Sequence, residues 1–293
     1  MARAKSAEEL RERARRIAQK QSKATNGGSA GWVKATVFLV VAAIMVIIGV
    51  VVVNSNRGKI EDAGPVPASS NEYGGIVMTA DGIVKDASSE PSRDFQSLHT
   101  STASYKPTEG AEDTALPLGI SPAEEASKNG KPVRLVVFQD FNCVHCAEFE
   151  TESGEEIKKL VDEGKVELEI RNLTYLDSQS ATKYSARAAN AAYAVANQVS
   201  ADQYLEFQKE LFSHQGQGGL KDQEIIDIAA KYGADISADM KNNSWRSLVN
   251  VVTAESSANG VQGTPTVFAD GQQFTTDDFK AWIDGIIAAK EKQ

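Results

Sequence analysis

The chain has 293 residues, of which 24% are charged and 41% hydrophobic, the composition of an ordinary globular protein with one large or two small domains. Its charge is uneven: residues 1–59 carry a net +8, and because the whole chain is −9, residues 60–293 carry −17. An acidic bulk without a basic stripe argues against nucleic acid as a partner, because phosphate groups call for clustered Lys and Arg.

The first predicted element is a single transmembrane helix over residues 35–53. This stretch has no charge, and a helix of nineteen residues is ~28 Å long, about the thickness of a bilayer's hydrocarbon core. A secretory signal peptide is the alternative, but its apolar region is usually about 7–15 residues long, and no A-x-A cleavage pattern follows Val53. Lys and Arg are enriched before the helix, so residues 1–34 are predicted to form a basic cytoplasmic arm, with the C-terminal bulk outside the cytoplasm.

Residues 54–130 are predicted to be a linker. Residues 54–75 are rich in Pro, Gly, Ser and Asn, which favours a flexible spacer. A short hairpin is predicted near 76–86, because two β-prone runs flank Asp81-Gly82. Residues 87–130 are polar and are predicted to be an irregular surface stretch, whose length the sequence does not explain.

A regular alternation of strands and helices begins at residue 131, which predicts the α/β class. The apolar run from Pro132 to Phe138 predicts a buried strand, and the alternation over 166–170 predicts a half-exposed strand. A helix is predicted over 143–163, with a break at the capping-box pattern that begins at Ser153. These elements form a β-α-β unit with adjacent parallel strands. The remaining predictions are helices over 179–198, 202–213, 222–232 and 238–258, a strand over 266–268, a turn at Asp270-Gly271 and a helix from about Thr276.

The strongest chemical signal is Cys143-Val-His-Cys146, which contains the only two cysteines of the chain. As a structural disulfide, the pair would close a very short loop and would constrain the unfolded chain little. As a zinc site, it lacks ligands, because zinc binds four and the other histidines are only His99 and His214. The favoured interpretation is therefore a redox dithiol.

The position of the pair, where a strand meets a helix, assigns a role to each cysteine. A cysteine at a helix N-terminus faces unpaired N–H groups and the positive end of the helix dipole, which stabilise a thiolate. Cys143 is therefore predicted to be the attacking thiolate, and Cys146, one turn into the helix, the resolving thiol. His145 is predicted to lower the pKa of Cys143 further, with an ordinary exposed side chain as the alternative. Pro265, in Gly263-Thr-Pro-Thr-Val-Phe268, opens a strand, a position that needs no special function.

Two motifs together, VVFQDFNCVHC and GTPTVF, carry a family resemblance. The chain resembles the DsbA-like branch of the thioredoxin superfamily, of the membrane-anchored bacterial envelope type, over residues 132–293. The resemblance implies a thioredoxin-like fold over 131–293, with a helical insert at about 178–258 that covers the active site. No cofactor and no metal ion are expected.

The resemblance also implies roles for individual residues. Cys143 matches the family's nucleophile and Cys146 its resolving cysteine. Pro265 matches the cis-proline, and Thr264 before it supplies backbone hydrogen bonds to a substrate strand. Asp140, three residues before the first cysteine, is also familiar in the family.

The expected function is that of an oxidase, which introduces disulfides into exported cysteine-containing proteins. A DsbB-like or vitamin K epoxide reductase-like membrane oxidase is the partner that the resemblance implies. The family's oxidases usually have Pro-His between the cysteines, whereas this chain has Val144-His145, which leaves the redox potential open. The alternatives are an envelope disulfide reductase or isomerase, and a non-catalytic peptide-binding or chaperone-like protein whose cysteine pair is incidental.

Overall fold

A computed structural model of the chain describes residues 60–106, 114–215 and 219–292. The predicted arm at 1–34 and the predicted transmembrane helix at 35–53 lie outside these residues. Within the described ranges, no helix is both long enough and apolar enough to cross a bilayer. The described residues contain a mixed β-sheet and helices that pack against it, which confirms the α/β class.

Among the residues that the structure describes, the central sheet has six strands, and two further pairs of short strands lie outside it. In chain order, the strands are β1 (Ala63–Pro65), β2 (Ile76–Thr79), β3 (Gly82–Ile83), β4 (Ser92–Asp94), β5 (Ser104–Tyr105), β6 (Thr114–Ala115), β7 (Val133–Gln139), β8 (Val166–Asn172), β9 (Thr266–Ala269) and β10 (Gln272–Gln273). The sheet order is β10-β9-β7-β8-β2-β3, while β1 pairs with β4 and β5 with β6. Strands β7 and β8 are parallel, with Val133 opposite Val166, and the other strand pairs in the sheet are antiparallel.

Helix α2 crosses over from β7 to β8, so the predicted β-α-β unit is confirmed. The helices are α1 (Ala123–Ser127), α2 (Val144–Asp162), α3 (Tyr184–Ala196), α4 (Ala201–Ser213), α5 (Asp222–Lys231), α6 (Ser237–Asn242), α7 (Arg246–Ala258) and α8 (Phe279–Lys290), with a 3-10 helix at Tyr175–Ser178. The 3-10 helix and α3–α7 lie between β8 and β9, where the helical insert was predicted. Their interior is apolar and rich in alanine, and Tyr184, Tyr193 and Tyr204 are fully buried in it.

Four predicted helices differ from the structure in their bounds. The helix predicted over 179–198 begins only at Tyr184 and ends at Ala196. Helix α2 is uninterrupted at Ser153, because Ser153 is buried in its interior and does not cap a new helix. The predicted helix over 238–258 is two helices, separated where Asn243 has a φ of +52°, a left-handed conformation that asparagine tolerates. The last helix begins at Phe279, where Asp278 accepts a hydrogen bond from the N–H of Ala281 at 2.9 Å.

Strand β8 is buried on both faces, so the prediction of a half-exposed strand is wrong. Glu169 is fully buried, and two arginines donate hydrogen bonds to its carboxylate: Arg171 Nε at 2.7 Å and Arg134 Nε at 3.0 Å. Burial opposes its charge, but the two arginines outweigh that effect and lower the pKa of Glu169 to about 2. The Tyr73 ring lies 5.2 Å from the Arg171 guanidinium and 5.8 Å from that of Arg134.

Residues 60–106 and 114–122 pack against the domain, which differs from the predicted spacer and surface stretch. Strand β2 joins the sheet beside β8, with Ile76 and Met78 fully buried. A side chain at Gly74 would collide with Val252, and one at Gly75 with Glu169. These glycines permit close packing. Glycine-rich composition alone does not tell such packing from a flexible spacer, so the sequence did not predict it. Residues 60–106 and 114–122 are called the N-terminal extension below.

Candidate active site

Cys143 is at the N-cap of α2, immediately after the turn that ends β7. Its backbone N–H donates to the carbonyl oxygen of Asp140 at 2.9 Å, and the N–H of Asn142 donates to Asp140 Oδ1 at 2.8 Å. The turn therefore presents the Cys143 sulfur at the helix N-terminus, as predicted from the position of the motif.

Both cysteines are free thiols, and they differ in burial. Cys143 exposes 6% of its surface and Cys146, inside the first turn of α2, exposes 2%. Val144 between them is 54% exposed, an apolar side chain at the rim of the site. Of the two sulfurs, that of Cys143 is the more accessible to another thiol.

The two thiols have pKa values shifted in opposite directions. A hydrogen bond from the Cys146 thiol lowers the pKa of Cys143 to about 5 in spite of partial burial; the Thr264 side chain and the N–H groups of Cys146 and His145 add to the effect. Burial raises the pKa of Cys146, and the neighbouring Cys143 sulfur raises it further. At neutral pH, Cys143 is therefore a thiolate and Cys146 a thiol.

Thr264 and Pro265 lie beside Cys143, although 121 positions separate Thr264 from it in the chain. The Thr264–Pro265 peptide bond is cis, as the family resemblance implies. The Thr264 carbonyl oxygen lies 3.2 Å from the Cys143 sulfur and accepts the proton of the neutral thiol. This one contact favours the thiol, but the hydrogen bonds donated to the sulfur outnumber it, so the lowered pKa stands.

The His145 ring does not contact the Cys143 sulfur. Its side chain is 72% exposed, and Nδ1 lies 2.8 Å from Glu148 Oε2, which raises the pKa of His145. The Cys143 thiolate is a smaller cause of the same increase. In this arrangement the main contribution of His145 to the thiolate is its backbone N–H rather than its ring.

Asp140 joins the active-site turn to the helical insert. Its carboxylate is fully buried and accepts hydrogen bonds from the N–H groups of Asn142 and Leu176, the latter at 3.0 Å. Burial raises the pKa of Asp140 to about 6, although these N–H groups favour the charged form. The carboxylate therefore connects the active-site turn to the 3-10 helix of the insert through these two hydrogen bonds.

The described residues contain no group of three or more His, Cys, Asp or Glu side chains arranged to hold a metal ion.

A protein-family profile described as "Thioredoxin" matches residues 128–285, more than half of the chain. The chain belongs to the thioredoxin family. The matched residues include both cysteines, the Thr264–Pro265 bond and the whole helical insert, so the predicted thioredoxin-like fold is confirmed. No curated protein sequence matches the chain.

Solved structures of related proteins resemble this thioredoxin-family chain. The oxidised DsbA of Mycobacterium tuberculosis is 27% identical, with a TM-score of 0.46 over 55% of this chain and 89% of that one. The thiol-disulfide oxidoreductase MdbA of Corynebacterium diphtheriae is 22% identical, with a TM-score of 0.47 over 59% and 95%. The oxidised BdbD of Bacillus subtilis is 21% identical, with a TM-score of 0.50 over 61% and 100%, and it supports the fold.

The sequence analysis missed two polar residues, Tyr175 and Asn259, that lie near the segment before Thr264. The Tyr175 hydroxyl donates to the Val261 carbonyl oxygen at 2.7 Å, which ties the insert to the segment before Thr264. Asn259 is buried beside the same segment. Their partners are far away in the chain, so no local pattern reveals them.

Glu150 is a further titratable residue that the sequence analysis did not single out. It borders a cavity of about 230 Å³ between α2, α4 and the sheet, and Gln208 Nε2 donates to its carboxylate at 3.2 Å. Burial of the carboxyl raises its pKa to about 7. A spacing of four residues after Cys146 places Glu150 on the same helix face, and this spacing could have drawn attention to it.

Proposed function

We propose that the chain is a protein thiol:disulfide oxidoreductase of the DsbA type that acts as an oxidase. The carrying observation is the asymmetry of the dithiol, in which a Cys143 with a pKa of about 5 lies beside a buried Cys146 with a raised pKa. Stabilising the Cys143 thiolate stabilises the reduced form, and this makes the disulfide more oxidising.

The oxidase reaction proceeds by two thiol–disulfide exchanges. A substrate thiolate attacks Cys143 Sγ in the Cys143–Cys146 disulfide, a mixed disulfide forms, and Cys146 leaves as a thiolate that takes up a proton. A second substrate thiolate then attacks the substrate sulfur of the mixed disulfide, and Cys143 leaves as a thiolate. The substrate dithiol is oxidised and the enzyme disulfide is reduced. A leaving thiol with a low pKa departs faster, which favours release at Cys143.

The proposed substrates are exported proteins that contain cysteines, and the proposed location is the outer face of the cell membrane. The uncharged stretch at 35–53 and the basic residues before it support a single-pass anchor with a cytoplasmic N-terminus. Each cycle transfers two electrons from the substrate dithiol to the enzyme disulfide. A DsbB-like or vitamin K epoxide reductase-like membrane oxidase would remove these electrons and regenerate the disulfide.

The test is the reduction potential of the full-length protein, equilibrated with glutathione buffers. Thioredoxin and DsbA mark the ends of the scale at about −270 and about −120 mV. We expect a value towards the DsbA end. A value near that of thioredoxin would refute the oxidase and would support the reductase or isomerase alternative.

Two cysteine variants test which thiol is the nucleophile and which is the resolving thiol. We expect Cys143→Ala to abolish oxidation of a reduced substrate protein. Cys146→Ala leaves the nucleophile without its resolving thiol, so we expect it to accumulate mixed disulfides, which are visible by non-reducing electrophoresis. Full activity of Cys143→Ala would refute the mechanism and would leave the peptide-binding alternative.

A further inference from the structure

The N-terminal extension follows helix α7 over its whole length. Near the start of the helix, Ser247 Oγ donates to the Glu61 carbonyl oxygen at 2.8 Å. Towards its end, the buried Arg93 forms an ion pair with the buried Glu255, which also accepts the N–H of His99 at 2.7 Å. The chain that leaves α7 leads directly to Thr264 and Pro265, so these contacts approach the active site.

Asn259 attaches the extension to the entry of the Thr264–Pro265 segment. Its side chain is 3% exposed, Oδ1 accepts the N–H of Ser101 at 2.5 Å, and Nδ2 donates to the His99 carbonyl oxygen at 3.0 Å. The next residue, Gly260, has a φ of +91°, and a Cβ there would lie 3.2 Å from the Ala115 carbonyl oxygen. Two segments of the extension, the loop at residues 99–101 and strand β6, therefore contact the entry.

Tyr105 attaches the extension to the exit of the same segment. Its hydroxyl donates to Gln273 Oε1 at 2.5 Å, and its ring packs edge-on against Phe268 with a centroid distance of 5.6 Å. Nearby, a side chain at Gly271 would collide with the backbone at Ser121. The segment is thus held on both sides by residues from outside the sheet.

We propose that Asn259 and Tyr105 are positioning residues, through which the N-terminal extension holds the Thr264–Pro265 peptide against Cys143. This inference rests on the proposed function of the site. Thr264 and Pro265 are themselves only half-buried, so their place depends on the flanking residues. Thr264 contacts the reactive sulfur in two ways: its carbonyl oxygen accepts the proton of the thiol, and its side chain helps to lower the pKa of Cys143. Hydrogen bonds weaken steeply as their geometry degrades, so a displaced segment would change the balance between thiol and thiolate.

The experiment measures how fast iodoacetamide alkylates Cys143 in the reduced full-length protein as a function of pH. Cys146 does not interfere, because it is buried and its pKa is raised. We expect Asn259→Ala to move the midpoint of the alkylation profile and to change the thiolate fraction at pH 5 about threefold, the equivalent of one modest hydrogen bond. Tyr105→Phe keeps the ring on Phe268 and loses only the hydroxyl contact, so we expect a smaller shift in the same direction.

Ser247→Ala is the matched control. It removes the hydrogen bond to Glu61 at the far end of the extension, so we expect it to lower the unfolding temperature slightly and to leave the alkylation midpoint unchanged. The inference is overturned if Asn259→Ala and Tyr105→Phe also lower only the unfolding temperature and keep the parent's midpoint. Should Asn259→Ala fail to fold, Tyr105→Phe decides alone. A parent midpoint near 9 would instead overturn the proposed function itself.

Discussion

Cys143 and Cys146 lie on one turn of the same helix, and their surroundings decide what each can do. The Cys143 sulfur accepts hydrogen bonds from backbone and side-chain donors, whereas Cys146 is buried and lies against the Cys143 sulfur. A charged sulfur is thus favoured at the outer position and disfavoured at the inner one. This difference fixes the order of the two exchange steps in the proposed reaction.

Asp140→Asn is predicted to change how stability depends on pH. The pKa of Asp140 is raised to about 6 by burial, so between about pH 4 and 6 the folded protein binds a proton that the unfolded chain has lost. This group therefore makes the folded state less stable as pH rises through that window. The variant lacks the titration, so its stability relative to the parent should increase by about 3 kcal/mol between pH 4 and 7, measured by urea unfolding. Parallel curves for the two proteins would contradict the prediction.

At the scale of the elements, the buried cluster of Glu169, Arg134 and Arg171 joins β7 to β8. Glu169→Gln would leave the buried Arg171 without its counter-charge, so we expect a loss of about 3–5 kcal/mol in the free energy of unfolding. Glu124→Gln is the control: it removes an exposed pair with Lys128, which should cost less than about 1 kcal/mol. A similar loss in both variants would mean that the cluster adds nothing beyond surface charge.

Gly74→Ala is predicted to loosen β2 from the sheet. Its φ of +77° and its contact with Val252 leave no room for a methyl group, so we expect a loss of at least about 2 kcal/mol in chemical denaturation. Gly285→Ala, in the exposed middle of α8 with open space around it, should instead stabilise the protein by up to about 1 kcal/mol. If Gly74→Ala were neutral, residues 66–75 would be a spacer after all.

The elements around the site were predictable because their signals are local. The β-branched run of β7, the period of α2 and the cysteine spacing all lie within about thirty residues, and the structure has them where they were predicted. The burial of Glu169 was not predictable, because its two arginines come from different strand positions and only pairing makes the charge tolerable. The packing of the extension was also missed, because its partners lie more than a hundred residues away.

For the whole molecule, the proposed redox direction predicts a difference in stability between its two forms. The pKa of Cys143 is lowered from 9.0 to about 5 in the folded reduced protein. Its thiolate therefore contributes stability that is fully present above about pH 9 and is lost as the pH falls through about 5. We expect calorimetry at pH 8 to give a higher unfolding temperature for the reduced protein, with the advantage shrinking towards pH 5. An oxidised form that melts higher at both pH values would mean that the dithiol is reducing.

The long-range contacts of the N-terminal extension also determine when the molecule can be completed. Glu61 meets Ser247, Arg93 meets Glu255 and Tyr105 meets Gln273, each across more than 150 residues of chain. A ribosome makes the extension first and its partners last, and contacts of such separation close slowly. Arg93 and Tyr105 must therefore wait for Glu255 and Gln273 until those residues have been synthesised. The contacts that hold the Thr264–Pro265 segment are thus among the late ones, so a nascent chain carries both cysteines long before its active site is complete.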